Sequence, residues 1–369
     1  MTAVTAETVN HLLATIIDPH TGVDVVSGGC VRGVGVDGGN VSLDVCLGYP
    51  ALQWSAEIAA IIQSTLQADP AIAHASVGIR CKVQRHHVQE GLKPLPGVKN
   101  IIAIGSGKGG VGKSTVAANL ALALQAEGAS VGILDGDIYG PSQPRMLGVS
   151  GKPESPDGKR IIPHRAHGLQ MMSIGLLVEE DTPMIWRGPM ATQALQQLLN
   201  ESIWEDLDYL ILDLPPGTGD IQLTLAQKIP VAGAIIVTTP QDISLLDARK
   251  ALRMFEKVNI PVLGIVENMA SHVCSKCGHE EAIFGCGGGQ AMADQYHVPL
   301  LGQLPPVLDV RRQGDRGRRW SAGNPESEFV LPVTIQLSRA PGHGGKLVCG
   351  FLFEKTNRSQ YEEKDYNND

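Results

Sequence analysis

The stretch Gly105–Thr115, GSGKGGVGKST, follows directly on the apolar run NIIAI and leads into a helical pattern, TVAANLALALQAEG. Five glycines in that position demand a strand, a tight turn and a helix N-terminus, where unpaired backbone N–H groups and the helix dipole attract phosphate. Two fingerprints fit the letters. Gly105, Gly107 and Gly110 satisfy the dinucleotide pattern G-x-G-x-x-G, whereas Gly107, Gly112, Lys113 and Ser114 satisfy the P-loop pattern G-x-x-x-x-G-K-[ST]. A dinucleotide site has no use for a lysine and a hydroxyl at the helix start. A triphosphate site needs both, Lys113 to neutralise phosphate oxygens and Ser114 to hold Mg2+. The ribose-binding acid expected about 20 residues on is also missing, since Asp135 lies 25 residues past Gly110. The loop therefore reads as a phosphate cradle running through Gly107, Lys108, Gly109, Gly110, Val111, Gly112, Lys113, Ser114 and Thr115.

Phosphoryl transfer also needs carboxylates for the metal and the attacking water. LILDLPPGTGD puts Asp213 at the end of an apolar strand, the position of the acid on the metal's outer shell. Gly217, in the loop after it, is placed to offer a backbone N–H to a γ-phosphate. ILDGDIYGPS supplies Asp135 and Asp137 at another strand end. Each could be an ordinary turn-forming Asp; three of them around a P-loop favour catalysis. No N-K-x-D guanine motif occurs in the chain, which favours ATP.

Around the loop the pattern is consistent. From residue 98 to about 330, short continuous apolar strands (SVGILDGD, DYLILDLPP, GAIIVTT, PVLGIVENM, VPLLGQLP) alternate with helical stretches such as ATQALQQLLNES and SLLDARKALRMFEKV. Apolar strands between helices predict an α/β fold with a doubly wound, mostly parallel sheet buried on both faces. Residues 1–88 form a separate small α+β unit: a helix reaching Ile17, a hairpin around DGGN, a helix over SAEIAAIIQSTLQ and a last strand, HASVGIRCKVQ. Residues 89–97 read as a linker. The tail, 331–369, shows little helical periodicity and ends in a charged stretch expected to be disordered.

A formal charge of −8 argues against a general nucleic-acid surface. No apolar run reaches the roughly 18 residues of a membrane helix, and the N-terminus lacks the pattern of a signal peptide. A cytoplasmic protein with no membrane and no nucleic-acid partner is expected. In a reducing compartment its seven cysteines are thiols or metal ligands. Cys30, Cys46 and Cys81 sit in strand-like runs and are expected to pack. Only Cys274 and Cys277, in HVCSKCGHEEAIFGCGGG, have ligand spacing. Two thiolates do not close a four-coordinate site. His272, His279 and Cys286 could complete a zinc knuckle, the pair could be a redox couple, or a second copy could supply two more thiolates across a two-fold axis.

As a set, GKGGVGKST, DGDIYGPSQPRMLG, MIWRGPM, DLPPGTGD, VENMA and CSKCG followed by IFGCGGG resemble the Mrp/ApbC family of iron–sulfur cluster carrier ATPases. The first unit resembles the small domain often fused ahead of bacterial members. The resemblance implies a deviant Walker A ATPase in which Lys108 reaches across a homodimer to the partner's phosphates, Asp137 orients water and Asn268 reads adenine. It also implies a [4Fe–4S] cluster bridged by Cys274 and Cys277 of two protomers and delivered to recipient apoproteins. Two features depart from the family pattern: Cys286, and a tail after NPESEF where members finish with a helix, as a frameshift or splice variant would produce. The expected function is an ATP-hydrolysing iron–sulfur cluster carrier. The competing readings are a partitioning or positioning ATPase and a zinc-stabilised interaction protein.

Overall fold

The computed structural model describes residues 4–177, 188–274 and 277–318, with the two-residue ladder Ser338–Arg339 against Leu347–Val348. Met184–Arg187 of MIWRGPM, Cys349 and, apart from that ladder, the tail lie outside the described residues.

The first unit begins with α1 (Ala6–Leu13), capped by the Thr5 side chain, which accepts a hydrogen bond from the Thr8 N–H. The helix stops at Leu13 rather than reaching Ile17, because the chain turns there into a short ladder of β1 (Ile17–Asp18) with β2 (Val23–Asp24). β3 (Val31–Asp37) and β4 (Asn40–Leu47) form the hairpin expected around DGGN. α2 (Trp54–Gln67) then crosses the sheet and returns the chain to β5 (His74–Cys81), parallel to β4. β4 alternates exposed and buried residues, so Val41, Leu43, Val45 and Leu47 meet Ile58, Ile62 and Leu66 of α2 in a core of their own. Cys30 is buried there, and burial pushes its thiol up to about 11. Cys46 is half-buried, but Cys81, the last residue of edge strand β5, is exposed and does not pack as expected.

After the irregular segment 82–97 comes the large sheet. Its strands are β6 (Val98–Gly105), β7 (Val131–Asp135), β8 (His164–Ala166), β9 (Leu169–Ser173), β10 (Leu207–Asp213), β11 (Gly233–Thr238), β12 (Val262–Asn268) and β15 (Leu300–Leu304). Their order is β15-β12-β11-β6-β10-β7-β9-β8, parallel throughout except for β8 against β9. In β6, Ile101 and Ala103 face one core and Ile102 and Ile104 the other, which is why the strand is apolar without alternation. α3 (Lys113–Ala126) covers the second face. α5 (Gly188–Glu201), α6 (Asp220–Lys228), α7 (Asp242–Lys257) and α8 (Gly288–Tyr296) contribute to the first.

Strands β8 and β9 were not visible as a sequence pattern, nor was the one-turn helix α4 (Gln143–Leu147). Between β12 and α8 lies a small hairpin of β13 (His272–Val273) and β14 (Glu280–Glu281), and α9 (Leu308–Asp315) follows β15. Among the described residues no helix is long and apolar enough to cross a membrane.

The small unit touches the large one through the Glu127 side chain and carbonyl, which accept the backbone N–H groups of Gln53 (3.2 Å) and Leu52 (3.2 Å). Gln89 of the connecting segment donates to the carbonyls of Ala226 (3.0 Å) and Ile229 (3.2 Å). The cores are otherwise distinct. Ile62→Ala, at a fully buried site, is expected to cost the small unit about 2–5 kcal/mol and to leave nucleotide binding by the large unit intact. Denaturant melts paired with a fluorescent-nucleotide titration check both halves.

Candidate nucleotide site and cysteine hairpin

The site lies at the carboxyl ends of the central strands, where parallel sheets gather ligands. β6 ends at Gly105 and the loop enters α3 through Gly112, whose φ of 85° is left-handed. A side chain on Gly112 would also strike the Asn268 amide, and one on Gly107 would strike the backbone of Asp247 in α7. These two glycines are required by conformation and by close approach. Both contacts come from elements far along the chain.

Lys113 is the first residue of α3 and is 5% exposed. Its Nζ forms a buried ion pair with Asp213, lies 3.3 Å from Ser114 Oγ and 3.8 Å from Asp137 Oδ2. The structure therefore brings Lys113, Ser114, Asp137 and Asp213 together. Asp135 joins them, because β7 and β10 run in register with Asp135 beside Asp213. Both acids are fully buried. Asp135 accepts the backbone N–H groups of Asp137 (3.1 Å), Ser142 (2.9 Å) and Gln143 (3.0 Å) and the Ser173 hydroxyl (3.2 Å). Burial and then the neighbouring Asp213 charge nonetheless push its carboxyl up to about 7, against the pull of the amide donors and Lys113. Asp137 is also raised by burial, with Lys113 opposing.

The remaining predicted residues have defined places. The Gly217 N–H, at a φ of 105°, donates to the Ser106 carbonyl (2.9 Å) and so ties the post-β10 loop to the P-loop. Asn268 Nδ2 donates to the Val111 carbonyl (2.9 Å) and braces the same loop. Lys108 is half-exposed, and its carbonyl accepts the Ser106 hydroxyl (3.0 Å). Among the described residues no carboxylate pairs with Lys108 Nζ. Gly109 and Gly110 are exposed, Val111 is buried, and Thr115 accepts the Asn119 amide on its carbonyl (2.8 Å) within α3.

Cys274 and Cys277 stand at the tip of the β13–β14 hairpin, closed by Cys274 N–H to the His279 carbonyl (2.8 Å) and Gly278 N–H to the Cys274 carbonyl (2.9 Å). Cys274 is half-buried, Cys277 and Cys286 are exposed, and none of the three is in a disulfide. Among the described residues no group of three or more His, Cys, Asp or Glu side chains is arranged to hold one metal. His272, His279 and Cys286 thus do not gather with the pair within one chain.

The pattern of the NUBPL iron-transfer P-loop NTPases matches residues 97–336, and that of iron–sulfur cluster assembly proteins matches residues 6–78. The chain belongs to the NUBPL iron-transfer P-loop NTPase family. Curated relatives of this NTPase include the iron–sulfur cluster carrier protein of Pseudomonas fragi, 55% identical over 275 residues that cover 74% of this chain and 96% of the relative. That of Salmonella typhimurium is 64% identical over 237 residues, 64% of either chain. That of Synechocystis is 43% identical over 343 residues, 92% of this chain and 97% of the relative. Among solved structures, a nucleotide-binding protein of Archaeoglobus fulgidus in complex with ADP is 39% identical, with a TM-score of 0.54 over 60% of this chain and 88% of that one.

Sequence reading overlooked two residues of this NTPase. Gln143 is fully buried and donates through Nε2 to Asp213 Oδ2 (2.9 Å) and to the Ser114 carbonyl (3.0 Å). Glu267 is fully buried at the end of β12; its Oε1 accepts the Gly289 N–H at the start of α8 (2.6 Å) and its Oε2 accepts the Gln303 amide. Both lie inside the motifs DGDIYGPSQPRMLG and VENMA, and the available signal was a polar residue in an otherwise buried stretch.

The buried acids make stability depend on pH. Burial and the neighbouring Asp213 charge push the Asp135 carboxyl up from its ordinary 3.8 to about 7. The folded state therefore holds an extra proton between those values, and stability falls as pH rises through that window. Asp135→Asn is expected to flatten the slope between about pH 5 and pH 7 in nucleotide-free protein, measured by urea unfolding at fixed ionic strength.

Proposed function

We propose that the protein is an ATP-hydrolysing carrier of [4Fe–4S] clusters that works as a homodimer and hands its cargo to recipient apoproteins in a reducing, cytoplasmic setting. The observation that carries this reading is the span of β12. At its end Asn268 holds the P-loop carbonyl of Val111, and Glu267 beside it holds the start of α8. The cysteine hairpin occupies the connection between these anchors. A nucleotide that moves the P-loop thus acts on the strand from which the hairpin hangs. The relatives' names, and the match to iron-transfer NTPases, support the choice of cargo.

The residues have distinct tasks in this reading. The backbone from Gly107 to Thr115 wraps the phosphates. Lys113 exchanges Asp213 for phosphate oxygens, a swap of one anionic partner for another inside a buried site. Ser114 Oγ, with Asp213 behind it, is an all-oxygen donor set of the kind that suits Mg2+, and the ion would neutralise charge on the phosphates. Asp137 orients the attacking water; its raised carboxyl makes it a better proton acceptor than an ordinary aspartate. Gly217 offers its N–H to the γ-phosphate after release from Ser106, and Asn268 faces the base end of the nucleotide. Lys108 carries a cation to the partner's site across the dimer, the role an arginine finger plays in other NTPases.

Two thiolates per chain make a four-thiolate cluster site only when two hairpins meet on a two-fold axis. Residues 1–88 are a separate folding unit that accompanies the carrier, joined through 89–97 to the NTPase unit that extends to about 330.

Two experiments test this. Anaerobic reconstitution is expected to load about four irons and four sulfides per dimer, and Cys274→Ala or Cys277→Ala each to remove nearly all of them while nucleotide affinity stays. Cys286→Ala is expected to retain the cluster. Stoichiometric zinc with no iron in the wild type would overturn the carrier reading.

Lys108→Ala is expected to bind ATP with wild-type affinity and to lose hydrolysis by roughly tenfold or more. Unchanged turnover would make Lys108 a solvated loop residue.

A further inference from the structure

Two polar atoms in the turn between β7 and α4 have no hydrogen-bond partner although both are buried: Gln143 Oε1 and Ser142 Oγ. They are adjacent in sequence, and buried polar atoms without partners are rare enough to need a reason. Its hydrogen-bond partners set the orientation of the Gln143 carboxamide. Both groups around its Nε2, the Ser114 carbonyl and Asp213 Oδ2, can only accept, so the amide nitrogen faces them. The carbonyl end, Oε1, belongs to a carboxamide whose nitrogen is anchored to Ser114, in the first turn of α3, and to Asp213 at the end of β10.

The neighbouring carboxylates carry unequal numbers of donors. Asp213 takes Lys113 on Oδ1 and Gln143 on Oδ2. Asp135 takes one backbone N–H on Oδ1, and two backbone N–H groups and the Ser173 hydroxyl on Oδ2. A carboxylate has about four lone-pair sites, so Asp135, with four donors, has little capacity left, whereas Asp213, with two, can still accept. Mg2+ sheds water reluctantly and keeps several water ligands when it binds beside phosphates, and each of those waters must donate outward. Gln143 Oε1 is a buried acceptor with no donor, and Ser142, the preceding residue, has a buried hydroxyl with no partner.

We propose that Gln143 Oε1 and Ser142 Oγ receive the water shell of the Mg2+ that enters with the nucleotide, and so set the affinity of the site for the metal. Gln143 is a positioning residue in this scheme: its Nε2 fixes Asp213 and the Ser114 backbone, and its Oε1 holds hydration water. The proposal deepens the nucleotide reading above and rests on it.

The test titrates Mg2+ into the full chain with a fluorescent, non-hydrolysable ATP analogue, for wild type, Gln143→Leu and Ser142→Ala. Binding of the analogue in EDTA is expected to stay within about twofold of wild type for Ser142→Ala, whose hydroxyl makes no bond to the P-loop; Gln143→Leu loses its bond to the Ser114 carbonyl, so its Mg2+ midpoint is read relative to its own EDTA affinity. The Mg2+ midpoint is expected to rise about tenfold in Gln143→Leu and about threefold in Ser142→Ala, in the range of one hydrogen bond each. Ser142→Ala leaves the Nε2 bonds in place, and its melting temperature is expected to match wild type, so a shift there cannot come from a displaced Asp213. Wild-type midpoints in both variants would overturn the proposal and leave the two atoms to a structural water. A shift in Gln143→Leu alone would overturn it too, by tracing the effect to lost support of Asp213. If Gln143→Leu does not fold, Ser142→Ala decides by itself. Failure of the wild type to bind the analogue at all would overturn the nucleotide reading, an outcome distinct from an unshifted midpoint.

Discussion

Lys113 Nζ is the cation set among three acids, Asp213 paired with it, Asp137 nearby and Asp135 in register behind. Burying that much like charge at adjacent strand ends is unfavourable unless each carboxylate is matched. Asp213 is met by the lysine and the Gln143 amide, and Asp135 by a ring of backbone N–H groups. The conformation of the DGDIYGPSQ turn follows from this requirement, since its N–H groups must point inward at Asp135. α4 begins where that turn ends. The site is self-neutralised, and a ligand with phosphate charge would compete for the same ammonium.

In the proposed function, that competition would give nucleotide a way to change the shape of the chain. Releasing Asp213 from Lys113 leaves the carboxylate leaning on Gln143, which also grips the Ser114 carbonyl. Gly217 and Asn268 are tied to the P-loop by single hydrogen bonds, to Ser106 and Val111. In the proposed function, a loop that closed on phosphate would strain both ties. One leads into α6, the other into β12 and the cysteine hairpin. Glu267 makes the second route stiff, because its carboxylate is fully buried and spans from β12 to the start of α8 and to β15. A buried carboxyl group bonded to two separate elements resists local rearrangement more than an apolar contact would.

The small unit takes no part in this network. Its core is separate, and its hydrogen bonds to the larger unit run through Glu127 at the far end of α3. Glu127 is itself buried, and burial raises its carboxyl, with the Gln53 and Leu52 N–H groups pulling it back. The contact sits at the C-terminal end of the helix whose N-terminal end holds the phosphate site.

What the sequence determined by itself was everything carried by local pattern. The P-loop, its lysine and serine, the acids at the ends of β7 and β10 and the paired cysteines all lie within short runs whose spacing restricts their chemical use. Continuous apolar strands between helices determined a parallel sheet covered on both sides. The tertiary structure alone decided what depended on residues distant in the chain. β8 and β9 form because a sheet edge is available to pair with, not because their letters demand strands. Gly107 must be glycine because α7 packs onto it, and Gly112 because Asn268 reaches over it. Gln143 and Glu267 look like surface polar residues in sequence. They are buried only because parallel strands bring charged ends side by side, and a buried charge must be met by whatever polar group the fold can supply.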